Sequence, residues 1–144
     1  TLGDLVYKPY RQKLIDKMDI NPGDRVIDLF CGTGANFNLI IQKLGNSGKI
    51  VGVDGSTNML KKAKKRALKK NISPTQLNLI EKDITKELIS IPGLNEGGKN
   101  LKVLITLGLS TVNYVEDFLK SLVDTMPSGA YIGVLEIYFL RESP

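Results

Sequence analysis

The residues with the most chemical content lie in one short run, Asp28-Leu29-Phe30-Cys31-Gly32-Thr33-Gly34, followed twenty residues after Gly34 by a second acid, Asp54. Two glycines in a turn let the backbone approach a ligand closely, and an acid ending the next strand accepts hydrogen bonds from both hydroxyls of a ribose. A dinucleotide-binding turn has the same outline but needs a third glycine, in G-x-G-x-x-G. That glycine lets the following helix approach the strand and aim its N-terminus at a diphosphate. Here the third position is the bulky Phe37. Asp28, four residues before the first glycine, does nothing for a diphosphate but suits a ligand carrying a sulfonium and an ammonium group. The plain alternative is a strand-to-helix turn that merely needs glycine, with Asp54 as a solvated cap carboxylate before Ser56.

What the chain lacks narrows the chemistry further. It has no histidine, which removes Ser-His and Cys-His nucleophile pairs, histidine-ligated zinc and a histidine general base. No metal site is expected. Cys31 is the single cysteine, so no intramolecular disulfide forms, and a reducing cytoplasmic setting is expected. With no base beside it, Cys31 reads as a small buried filler.

The elements that position these residues follow from periodicity. Leu14, Ile15 and Met18 share one side of a leading helix over residues 8–18, closed by the turn Asn21-Pro22-Gly23-Asp24. Arg25–Phe30 is a first strand, Ala35–Leu44 a helix, Lys49–Val53 a second strand, and Ser56 caps a helix reaching about Lys70. Gln76–Glu81 is a third strand, 84–91 a weak helix, and Pro92–Asn100 a loop before a fourth strand, Leu101–Leu107. A helix over Val115–Thr125 and a fifth strand over Ala130–Phe139 complete the series. Nearly continuous apolar strands alternating with helices predict an α/β fold, a three-layer α/β/α sandwich around a doubly wound parallel sheet of order 3-2-1-4-5. The ligand crevice then lies beyond the carboxyl ends of the first and fourth strands. At 144 residues, 42% of them hydrophobic, one domain over 1–144 is expected.

The motif set resembles the class I methyltransferases that use S-adenosylmethionine. Their first motif, an acid, three residues and G-x-G, is matched by Asp28, Gly32 and Gly34; their second, an acid ending strand two, by Asp54. Ser56-Thr57-Asn58-Met59-Leu60-Lys61-Lys62-Ala63 is similar to the start of that family's second helix, and Glu81-Lys82-Asp83-Ile84 to its third motif. The resemblance, running from about Tyr10 to Leu140, implies S-adenosylmethionine as cofactor. It assigns Asp54 to the ribose, Asp83 to the adenine amino group and Ile84 to the ring. Phe30, Thr33, Gly55, Thr106 and Gly108 complete the implied contacts. Phe30 stands where many members have glycine, and Met126-Pro127-Ser128-Gly129 only approximates the usual P-G-G turn. The hairpin of strands six and seven is missing. The start at Thr1 and the end at Pro144 read as a domain trimmed at its C-terminus.

The acceptor is read from the stretch Thr106-Leu107-Gly108-Leu109-Ser110-Thr111-Val112-Asn113-Tyr114. It lacks the D/N-P-P-Y loop often found in members that methylate exocyclic nitrogen. It resembles the small-molecule branch that includes ubiquinone and menaquinone biosynthesis enzymes, which implies a small-molecule or lipid-precursor substrate. Ser110, Asn113 and Tyr114 are candidate substrate contacts, each also explicable as a cap or packing residue. Lys61, Lys62, Lys64, Lys65, Arg66, Lys69 and Lys70 put seven of the twenty basic side chains in one decade with no acid, so a net charge of +5 becomes −2 elsewhere. This face is expected to be solvated, with RNA or an anionic lipid surface as the alternatives. It shows no aromatic interleaving of the kind that single-stranded nucleic acid favours. An RNA methyltransferase, a non-catalytic cofactor-binding module and an NAD-dependent oxidoreductase are the competing functions. No membrane segment is expected, since Tyr131–Leu140 contains Glu136 and is too short.

Overall fold

Each of the five apolar runs forms a strand, and every pairing between neighbours is parallel. The computed structural model describes residues 2–137. In chain order the elements are α1 (Leu2–Lys17), β1 (Arg25–Leu29), α2 (Phe37–Leu44), β2 (Lys49–Asp54), α3 (Thr57–Lys69), β3 (Leu77–Glu81), β4 (Leu101–Thr106), α4 (Val115–Thr125) and β5 (Tyr131–Leu135). The sheet order is β3-β2-β1-β4-β5, as the alternation of elements predicts.

The strand period of two sorts the apolar residues into two cores. Val26, Ile50 and Leu104 face α1, α2 and α3, where they meet Ile15, Phe37, Ile40 and Ala63. Ile27, Val51, Val103 and Ile105 face the other way, onto Phe118 and Leu122 of α4 and onto Ile84, Leu88, Ile91 and Leu94. All six residues of β4 are buried, as expected for a central strand covered on both faces. Lys102 of β4 is buried too, and Nζ donates to Oδ2 of Asp24 at 3.1 Å and to the carbonyl of Lys99 at 2.8 Å.

Several boundaries differ from the sequence reading, each for a physical reason. α1 begins at Leu2 rather than at residue 8 and runs through Pro9. Its first turns present Leu2, Leu5 and Val6 to solvent, so no core-facing pattern announces them. The weak helix over 84–91 is replaced by turns and a single 3-10 turn at Leu88–Ser90, which bury Ile84, Leu88 and Ile91 before Pro92 removes a donor. α2 starts at Phe37, not Ala35, because residues up to Asn36 belong to the glycine turn. β1 and β4 stop one residue early, since Phe30 and Leu107 adopt φ of 56° and 58°. β5 ends at Leu135; residues 138 and 139 of the expected strand lie outside the described residues.

Candidate active site

The residue following each of the four strands β1 to β4 borders one open cleft of about 790 Å³: Phe30, Gly55, Lys82 and Leu107. This is the crevice that a parallel α/β sheet leaves at its carboxyl edge. Phe30 and Leu107, on neighbouring strands, both hold the left-handed backbone conformation, which costs a non-glycine residue roughly 1–2 kcal/mol. Strain of this kind concentrates where a loop must be aimed at a ligand.

Asp54 organises the cleft. Its Oδ2 accepts the Gly32 N–H at 2.9 Å and its Oδ1 accepts the Ser56 N–H at 2.9 Å. One carboxylate thus ties the glycine turn to the cap of α3, and each oxygen keeps a lone pair for a further donor. Gly55 lies against the backbone beside it, where an added Cβ would come within 3.5 Å of the Lys82 carbonyl. Asp83 sits across the cleft, exposed, with Oδ1 accepting from Thr85 N at 3.1 Å and Thr85 Oγ1 at 2.6 Å. The Thr85 hydroxyl and then Lys86 hold its carboxyl below the ordinary range. Ile84 follows it, buried, at the cleft wall.

Glycine is required at 34 by packing as well as by its φ of 80°: a Cβ there would meet the Phe37 ring at 2.7 Å. The same ring fills the space over Gly52, where a Cβ would also come within 2.7 Å. Phe37 therefore acts as a spacer between α2 and β2, the opposite of what a third glycine does in a dinucleotide fold. Cys31 is buried in this layer, and burial, followed by the charges of Asp28 and Asp54, pushes its thiol far up. It is no nucleophile.

Asp28 is wholly buried and does not border the cleft. Asn36 Nδ2 donates to both its oxygens, at 3.2 and 3.3 Å, and also to Thr106 Oγ1 at 3.0 Å. Arg11 Nη1 completes the group, 3.1 Å from Asn36 Oδ1 and 2.7 Å from Thr106 Oγ1. Burial pushes the Asp28 carboxyl up to about 7; the Asn36 hydrogen bond and the Arg11 charge pull the other way, while Asp54 adds to the rise. Burial also lowers the Arg11 guanidinium from its usual value, opposed by Asp28 and Asp4. Its buried Nε has no hydrogen-bond partner among the described residues. Arg11 and Asn36 were not legible as site residues in the sequence: Arg11 lies 25 residues from Asn36 and 95 from Thr106, and Asn36, although eight residues from Asp28, sits in an irregular turn with no side-chain period.

The remaining expected contacts divide. Gly108 passes close to Phe30, whose Cγ would lie 2.6 Å from an added Cβ, and the Phe30 ring meets Phe118 edge-on at 5.9 Å. Thr33 points to the other side of the turn, where Arg66 Nη1 donates to its Oγ1 at 3.2 Å. Asn113 and Tyr114 line a second hollow of about 350 Å³ that shares Thr85 and Thr111 with the cleft. Ser110 is exposed and borders neither. Glu136, in the sequence only a charge within an apolar run, accepts the Leu109 N–H on its Oε2 at 2.8 Å and fixes the start of the segment leading to the second hollow.

Residues 20–106, more than half of the chain, match the family model described as a methyltransferase domain. Demethylmenaquinone methyltransferase of Lactobacillus johnsonii is 28% identical over 131 residues, which are 88% of this chain and 49% of that protein. A 23S rRNA (uracil(1939)-C(5))-methyltransferase, RlmD of Psychrobacter arcticus, is 37% identical over 83 residues, 57% of this chain and 16% of that one. The chain thus spans less than half the length of these curated relatives. In fold it is similar to a SAM-dependent methyltransferase from Aquifex aeolicus, with a TM-score of 0.72 at 16% identity, covering 93% of this chain and 68% of that one. No helix among the described residues is long and apolar enough to cross a membrane.

Proposed function

Because the chain belongs to the methyltransferase-domain family, we propose that it transfers a methyl group from S-adenosylmethionine to a small-molecule or lipid-precursor acceptor. The observation that carries this reading is Asp54, held at the cleft by the Gly32 and Ser56 N–H groups with lone pairs to spare for two ribose hydroxyls. The orphaned Nε of Arg11 and the spacer Phe37 support the same ligand: one is a cation needing an acceptor, the other disfavours a diphosphate-binding helix approach.

In this reading Asp83 takes the adenine amino group and Ile84 packs against its ring. The methionine end falls by the glycine turn, where Arg11 meets Asn36 and Thr106 above the buried Asp28. Arg11 supplies the positive charge for the carboxylate, and Asp28 acts by fixing Asn36. S-adenosylmethionine supplies a methyl group on a positively charged sulfur that is already a good leaving group. The protein then has chiefly to align the acceptor and exclude water. Asn113 and Tyr114, in the hollow adjoining the cleft, are the acceptor contacts we favour. With no histidine in the chain, an acceptor proton passes to a carboxylate, a tyrosine or water.

The small-molecule reading is favoured by the extent of the menaquinone-type similarity, 88% of this chain against 57% for the rRNA-type relative. RNA is the second reading, favoured by the lysine-rich α3. Incubation with methyl-labelled S-adenosylmethionine and either demethylmenaquinone-like phenols or total RNA separates them. Label in the organic extract supports the first, label in precipitated RNA the second. Label in neither, from protein that binds the cofactor, leaves a binding module.

A further inference from the structure

The outer surface of α1 and α3 carries two features that the cleft does not use. Ala63 and Ala67 turn α3 inward, leaving Lys61, Lys62, Lys64, Lys65, Lys69 and Lys70 exposed. Among the described residues none of these six forms an ion pair; only Arg66 has one, with Asp4 of α1 at 3.0 Å. Lys62, Lys65, Lys69 and Lys70 border one open groove of about 340 Å³.

The second feature is apolar. Leu2, Leu5, Val6 and Tyr10 are 77%, 68%, 54% and 59% exposed, and their spacing puts them on one side of α1. The two features adjoin. Arg66 reaches Asp4, and Leu5 and Lys8 of α1 border a hollow of about 220 Å³ with Arg66 of α3 and Lys70 just after it. Leu68, 59% exposed, adds another apolar side chain among the lysines.

Uncompensated lysines attract a polyanion, and exposed aliphatic side chains on the neighbouring helix call for an apolar medium. An RNA backbone satisfies the lysines and leaves Leu2, Leu5, Val6 and Leu68 in water. A bilayer with anionic headgroups satisfies both, the aliphatics entering the acyl boundary and the lysines staying among phosphates. We propose that α1 and α3 form a docking surface for an anionic lipid bilayer. This extends the reading of a lipid-precursor acceptor but does not depend on it, because vesicle binding is measured without turnover.

The test is co-sedimentation with vesicles of phosphatidylcholine alone and of phosphatidylcholine mixed equally with phosphatidylglycerol. Binding to the mixed vesicles only, weakening as salt rises, is expected. Lys62→Glu/Lys65→Glu/Lys69→Glu should reduce it by about 100-fold or more. Leu5→Gln/Val6→Gln should reduce it by about tenfold. Both variants should keep the wild-type melting temperature, which confirms that the loss is of binding and not of fold. Equal binding to neutral vesicles, or no vesicle binding, would overturn the proposal. So would a lysine variant that loses RNA binding while retaining vesicles, or an apolar variant that binds vesicles as the wild type does.

Discussion

Arg11 in α1 places Nη1 2.7 Å from Oγ1 of Thr106, the last residue of β4, joining the first helix to the strand beside the glycine turn. The contact lies against the buried Asp28 and Asn36, and Arg11 borders the hollow beside Gly34 rather than the cleft itself. Under the proposed function it makes α1, which carries none of the recognisable motifs, part of the ligand machinery.

Arg11→Ala should therefore weaken S-adenosylhomocysteine binding by roughly 1.5–3 kcal/mol, the range for a hydrogen bond to a charged group. Lysine at this position should rescue only part of it, because a single ammonium does not reproduce the guanidinium fork. Titration calorimetry reads the difference; unchanged affinity in Arg11→Ala would show that α1 merely packs.

Asp28 gives a pH signature. Its carboxyl, ordinarily near 3.8, is raised to about 7 in the folded protein. The folded state then holds a proton that the unfolded state has lost between those values, so this group's contribution to stability falls as pH rises from about 4 to about 7 and is constant above. Asp28→Asn keeps the shape and removes the titration. The gap in unfolding free energy between variant and wild type should widen in favour of the variant across that window. A gap independent of pH would contradict the assignment.

The buried pair Lys102–Asp24 is remote from the cleft and tests stability alone. Asp24→Ala leaves an uncompensated buried ammonium and should cost about 3–5 kcal/mol. Lys102→Met leaves the Asp24 carboxylate buried with only the Asn21 N–H at 2.9 Å and should cost about as much, whereas Asp24→Ala/Lys102→Met removes both charges and should cost much less than the two single changes added together. Denaturant unfolding of the single and double variants checks the order.

Gly34→Ala should lose about 1–3 kcal/mol, because its Cβ would strike the Phe37 ring and its φ is positive. On a Phe37→Leu background, which carries its own cavity cost, the same change should cost less, because the clash is relieved and the backbone strain is not. No cost at all on that background would mean the left-handed conformation at 34 is not needed.

The sheet was legible because each strand is a short, β-branched apolar run bounded by turn residues, and because the parallel crossover rule leaves few orders. The acids at 28 and 54 were legible as a pair through the glycines between them, and their different fates were not. Asp54 reaches the cleft because it ends its strand, whereas Asp28 lies one residue inside β1 and turns under Asn36. Arg11 stayed hidden because its contact with Thr106, 95 residues away, leaves no periodic trace, and Asn36 because it reaches Asp28 from an irregular turn. The first turns of α1 leave no signal for the converse reason: helical periodicity marks a buried face, and Leu2, Leu5 and Val6 bury none.

The most direct measurement of the central claim is the melting temperature of the chain with S-adenosylhomocysteine and with NAD, repeated on Asp54→Ala. A ligand that binds only the folded state adds about 2.7 kcal/mol at a hundred times its dissociation constant, enough to see as a clear shift. The account predicts a shift with S-adenosylhomocysteine, none with NAD, and loss of most of the shift in Asp54→Ala, where the carboxylate between Gly32 and Ser56 is gone. A shift with NAD and none with S-adenosylhomocysteine would contradict it.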